Sequence, residues 1–174
     1  MTMFAGHYGV SLASKKPSPR LSLGILFVAV QLLDILFAVF VLLGIEKLRI
    51  VHRFTAYNPY DLYWMPYSHS LFGAALWSAA TTLVALAGLR HLRSRDRRIA
   101  AGILGAAVFS HFLLDVPMHT PDLPLGFDPA SPKIGLGLWN HRWAAVAAEL
   151  AVLAGGGAVY LRVTRPRTYG FAAA

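Results

Sequence analysis

His111 and Asp115 stand four residues apart in an apolar run, so on a helix they share a face and can converge on one ion. They belong to residues 110–125, SHFLLDVPMHTPDLPL, a run that breaks at Pro117 and continues to His119 and Asp122. Ionisable side chains at membrane depth are costly and are rarely found there without a partner or a task. An imidazole nitrogen beside a carboxylate oxygen suits zinc first and manganese or iron next, whereas calcium prefers oxygens alone. A catalytic metal needs about three protein ligands and an open position for water, whose pKa the ion lowers. His69, which opens another apolar run in PYSHSL, would be the third ligand. Asp34, near the middle of the first apolar run, and His7, in the N-terminal GHYG, would complete a second ion or surround the first. His119 or Asp122 would then serve as base or substrate contact.

Elements must bring these residues together, and the composition says what kind. The chain is 56% hydrophobic with a mean hydropathy of +0.53, too apolar for an ordinary soluble domain of 174 residues. Four runs, near 21–44, 70–89, 99–116 and 143–162, approach or exceed the ~20 residues that a bilayer core requires. The expected architecture is all-α: a polytopic membrane bundle of four transmembrane helices plus a short N-terminal helix near 2–14. That first segment would be ~21 Å long as a helix, too short to span. It either inserts and carries His7 into the bilayer or lies at the interface. The whole of 1–174 forms one domain, with outward links over 45–69 and 117–142. The first link is aromatic, with Phe54, Tyr57, Tyr60, Tyr63, Trp64 and Tyr67, as in an interfacial belt or the mouth of a site for a lipid-like substrate. The second holds Pro117, Pro121, Pro124, Pro129 and Pro132 and is expected to be an irregular, lid-like loop. Glu149, in the last run, is left outside the site, His52 and His91 belong to solvated links, and His141, next to Arg142, to the interface.

The net charge of +8 is distributed by side rather than spread over a binding face. Of the 16 basic residues, 11 precede the first run, fill the link between the second and third, or follow the fourth. These three regions share one side of a four-span protein. By the positive-inside rule the Arg90–Arg98 link and the C-terminus are cytoplasmic, where they anchor acidic lipid headgroups. That pattern argues against a nucleic-acid partner. With no cysteine, thiolate chemistry and disulfides are excluded. No cleavable signal pattern is evident at the N-terminus.

The motifs GHYG, LLDIL, YSHSL and HFLLD, spread over most of residues 1–125, resemble those of the YdjM-like family of bacterial inner-membrane proteins, described as metal-dependent hydrolases. The resemblance implies His7, Asp34, His69, His111 and Asp115 as the metal-site residues and the bacterial inner membrane as the location. The chain departs from the family in having LLD and PYSHS where the family commonly shows a denser aspartate pair and a longer HRGxTHS-type motif. Rival patterns fit less well. The lipid phosphatases also use a histidine with HxxxD, but the arginine they need six residues before that histidine is Gly105 here. Axial haem ligation by His69 and His111 is disfavoured by the aspartates around them. The expected function is hydrolysis of an ester or phosphoester of a lipid-like molecule by a metal centre in the membrane. The alternative is a non-catalytic accessory subunit of a larger membrane complex, in which the polar cluster only locks helices together.

Overall fold

A computed structural model describes residues 5–164; Arg165, Arg167 and the first residues of the expected N-terminal helix lie outside the described residues. The chain is mostly helical. Helix α1 is His7–Ala13, α2 Leu23–Val30, α3 Leu32–Leu42, α4 Leu71–Gly88, α5 Ser94–Met118 and α6 Arg142–Val163. Three of these, α4, α5 and α6, are long and apolar enough to cross a membrane, and the pair α2–α3 makes a fourth if it is counted as one span.

The expected continuous helix over 21–44 is broken. Helices α2 and α3 meet at a 54° bend, with Gln31 between them at φ −97°, ψ 5°. Neither proline nor glycine stands at the break, and the Val30 carbonyl that ends α2 meets a side chain of α5, described below. The third helix is longer than the expected 99–116, starting at Ser94 and running past Pro117. Proline lacks an N–H and so removes only one bond here, close to a helix end. The His119 N–H still donates to the Asp115 carbonyl at 2.9 Å, closing the last turn.

The chain is mostly helical, as expected, and the two expected loops add short hairpins. Strand β1, Lys47–Ile50, pairs antiparallel with β2, Tyr60–Trp64, and β3, Leu123–Pro124, pairs with β4, Lys133–Ile134. An Arg49–Asp61 ion pair at 2.6 Å crosses the first hairpin. Lys133 Nζ donates to the Tyr63 carbonyl, and the Phe72 N–H donates to the Leu125 carbonyl. The two links therefore touch and together cover one end of the bundle.

Close helix contacts set the positions beneath this cover. Helix α5 packs most extensively on α4, where Gly105 admits Thr82 and Ser78, and the Ser78 hydroxyl donates to the Gly105 carbonyl at 2.8 Å. Helix α1 lies backbone to backbone on α6 at Gly9 and Gly156, where a Cβ on either residue would overlap the other helix. The Ser11 hydroxyl ties α1 to the Leu26 carbonyl of α2. The interior holds Leu26, Leu33, Val108, Phe112, Met118 and Trp139, while Leu42, Leu83, Val84, Leu150 and Leu161 are turned outward.

Candidate metal centre

The seven residues selected from sequence come together at the hairpin-covered end of α5. His7 opens α1, Asp34 lies in the first turn of α3, and His69 directly precedes Ser70, the N-cap of α4. His111 and Asp115 lie one turn apart on α5, His119 caps its C-terminus, and Asp122 follows in the link. Six of the seven are buried; Asp34, with 29% of its side chain exposed, is the only one open to the surroundings.

Four imidazoles direct Nε2 at two carboxylates. His111 Nε2 is 3.2 Å from Asp115 Oδ2 and 3.6 Å from Asp34 Oδ1. His69 Nε2 is 3.4 Å from Asp34 Oδ1 and 3.7 Å from Asp115 Oδ2. The other Asp115 oxygen, Oδ1, lies 3.5 Å from His7 Nε2 and 3.8 Å from His119 Nε2. The rings pack closely as well, with His7 stacked on His111 at 3.9 Å between centroids.

The opposite nitrogens settle which edge of each ring carries the proton. A carbonyl or carboxylate can only accept a hydrogen bond. His111 Nδ1–H therefore donates to the Val30 carbonyl at 2.7 Å, and His119 Nδ1–H donates to Asp122 Oδ1 at 2.8 Å. For His69 the partner is the Ser68 hydroxyl, 2.8 Å from Nδ1. Ser68 has already given its proton to Glu46 Oε2, at 2.5 Å, so its oxygen accepts from His69 Nδ1–H. Three of the four rings thus commit Nδ1 to a proton and turn Nε2 toward a carboxylate, which in a neutral ring sets its lone pair there. Lone pair against negative charge is repulsive unless a cation stands between. His7 differs: its Nδ1 is buried without a partner, and its Nε2 lies 3.4 Å from the His111 carbonyl, which accepts from it when that nitrogen carries the proton.

The inward distances fit an ion between the groups better than a direct hydrogen bond. A charge-assisted N–H···O bond closes to about 2.7–2.9 Å. The outward bonds reach that range, but the inward N···O separations stay at 3.2–3.8 Å. Two atoms each about 2.0–2.1 Å from a shared tetrahedral zinc stand about 3.3 Å apart. Asp115 Oδ2, buried without a hydrogen-bond partner, is the acceptor that an ion would satisfy. The groups His7–His111–Asp115, fully buried, and Asp34–His69–His111, buried but for Asp34, each bring their ligand atoms within 4.8 Å of one another and could hold a metal ion. An outward N–H on an acceptor with the other nitrogen free is the usual support of a metal-bound histidine.

Residues that sequence reasoning passed over complete the supports. Glu46 is buried, and its Oε1 accepts from the Tyr67 and Ser68 N–H groups at 2.8 and 2.9 Å. It thereby pins the turn that carries His69. Beside Lys47 and Arg49 it reads as a surface charge, and no local signal marks it. Thr120 donates to Asp122 Oδ2 at 2.9 Å, and the Trp139 ring lies 4.1 Å from that of His119. Glu149, left outside the site, accepts instead from the Tyr57 hydroxyl at 2.6 Å. Burial and the adjacent Glu149 carboxylate push that hydroxyl up to about 12, so Tyr57 stays a donor.

The Glu46–Ser68–His69 chain predicts a specific defect. In Glu46→Gln the Ser68 hydroxyl can turn to donate to His69 Nδ1, which moves the imidazole proton to Nε2 and removes the lone pair. Metal affinity is expected to fall about 10–100-fold, the usual cost of losing such a support. Competition with a chelator of known affinity reads this directly, and an unchanged affinity would show that Glu46 serves the turn alone. No protein-family model matches the chain, and neither does any curated protein or solved structure.

Proposed function

We propose that the chain is a membrane-embedded, metal-dependent hydrolase of an ester or phosphoester bond in a lipid-like molecule. The observation that carries this reading is the common orientation of His69, His111 and His119, each with Nδ1–H bound outward and Nε2 facing Asp34 or Asp115. Membrane embedding is supported by the apolar residues that the helices turn outward, since lipid takes the place of water around them. The motif resemblance to the YdjM-like family points the same way. It adds a bacterial inner membrane with the Arg90–Arg98 link on the cytoplasmic side and the hairpins outside.

Zinc suits the donor set best, with manganese or iron next. A divalent ion held there supplies an acidified water and polarises the ester or phosphoryl oxygen. The protein's own groups do the rest. His69, His111, Asp34 and Asp115 hold and orient, and the exposed edge of Asp34 is where substrate and water reach the centre. Asp122 orients His119 so that its Nε2 is available to a proton or an ion. Tyr67 and Phe127, stacked at 5.8 Å between ring centroids, join the two links above the centre and offer an apolar wall to a lipid chain.

The test is metal content of detergent-purified protein beside hydrolysis of a panel of carboxyl-ester and phosphoester lipids. Bound zinc, manganese or iron together with turnover that chelation abolishes is the expected result. Metal-free protein without turnover would leave the accessory-subunit reading, with the cluster acting only to lock α1, α3, α4 and α5 together.

A further inference from the structure

The two oxygens of Asp115 face different partners. Oδ2 looks toward His111 and His69, at 3.2 and 3.7 Å, with Asp34 Oδ1 completing that group. Oδ1 looks toward His7 and His119, at 3.5 and 3.8 Å. A closed zinc site uses about four protein ligands and a catalytic one about three. Four imidazoles and two carboxylates exceed what one such ion can bind. The surplus is not spread at random but sorted onto the two oxygens of one carboxylate. We infer that the centre holds two divalent ions bridged by Asp115, and that the two-ion form is the one that binds a phosphoryl group. The inference rests on the metal-centre reading above and deepens it.

The first position draws on Asp34, His69 and His111, and the second on His7 and Asp115, with His111 within reach of both; His119 Nε2 stands at the edge of the second, 3.8 Å from Asp115 Oδ1. Ions sharing a carboxylate in hydrolytic centres stand about 3.5–4 Å apart and clamp the two oxygens of a displacement between them. Charge makes the second ion decisive for the substrate. With the rings neutral, as ligation of a metal requires, Asp34, Asp115 and Asp122 bring three negative charges to the cluster. One dication leaves the cluster negative, and two leave it positive. Glu46 lies behind Ser68, where two N–H groups and a hydroxyl take up its charge. Among the described residues the acidic groups of the cluster form ion pairs with histidine only, so no lysine or arginine is paired there to receive an anion. A phosphoester is repelled by the one-ion form and attracted by the two-ion form, whereas a neutral carboxyl ester is indifferent to that difference.

The experiment uses the full chain in detergent, stripped and titrated with manganese. Binding is expected to saturate at about two equivalents, with the isolated six-line resonance replaced by the spectrum of an exchange-coupled pair as the second position fills. Inorganic phosphate, followed by broadening of its phosphorus resonance beyond that caused by free manganese, is expected to bind only past the first equivalent. His119→Ala and Asp122→Asn are expected to keep one ion and lose phosphate binding. Saturation at one equivalent with an uncoupled spectrum would overturn the second ion and leave the metal centre standing. Absence of any bound metal would overturn both. Two ions with phosphate bound equally well at one equivalent would overturn the charge argument. If the variants do not fold, titration and resonance of the wild-type protein decide alone.

Discussion

Asp115→Asn is expected to abolish metal binding while the helices stay assembled. The substitution keeps the volume and removes the one carboxylate that faces all four imidazoles. The loss in affinity should exceed the ~10–100-fold that a supporting residue costs, because a ligand and its charge disappear together. The fold should survive for a further reason. The asparagine amide donates, so it can satisfy the Nε2 lone pair of His111 or His69 that the carboxylate opposes in the metal-free wild type. Metal analysis and thermal unfolding on the same preparation separate the two readings. A cluster that merely locks helices would instead lose stability in Asp115→Asn, by about 3–5 kcal/mol if a buried ionic pair is broken.

Removing metal from the wild-type protein is the second large effect. The candidate ligands come from α1, α3, the entrance to α4 and α5, so an ion held there would fasten segments that are far apart in the chain. A ligand that binds only the folded state stabilises it by about 4 kcal/mol when its free concentration is 1,000 times Kd. Chelation should therefore lower the unfolding temperature of wild-type protein and leave that of Asp115→Asn unchanged. The loss should begin locally. Helix α1 has only seven residues, and α3 makes few contacts with the rest of the bundle, so their amides should exchange faster first. Equal, global loosening of α4 and α5 would argue that the ion is incidental to this arrangement.

Much of the site could be read from residue types because its chemistry is local. HFLLD places His111 and Asp115 on one face by helical spacing alone, and His119 extends that face by two turns from His111. His7, Asp34 and His69 were recoverable because a charge or imidazole inside or bordering an apolar run calls for a partner. Glu46 was not, since Lys47 and Arg49 offered it an obvious surface role. Its true partners are backbone N–H groups 21 and 22 residues away. The hairpins were hidden for a similar reason. Aromatic residues at 57–67 suit both an interfacial belt and a strand, and only the pairing of Arg49 with Asp61 across the turn decides between them. The bend at Gln31 carries no proline or glycine to announce it, and the contact made there by the Val30 carbonyl is to a histidine 81 residues further on.

That bend carries a lesson for anyone who would build such a centre. The carbonyl at the end of a helix has no partner within the helix, and in a lipid environment it must find one in the protein. Val30, the last residue of α2, finds it in His111 Nδ1–H at 2.7 Å. The same contact that closes a gap in the backbone also sets the tautomer of the most central ring. Grafting the seven side chains onto four straight helices would reproduce their spacing but not this coupling. The interrupted helix is part of the ligand, and a transplant that repairs it would leave His111 free to carry its proton on the wrong nitrogen.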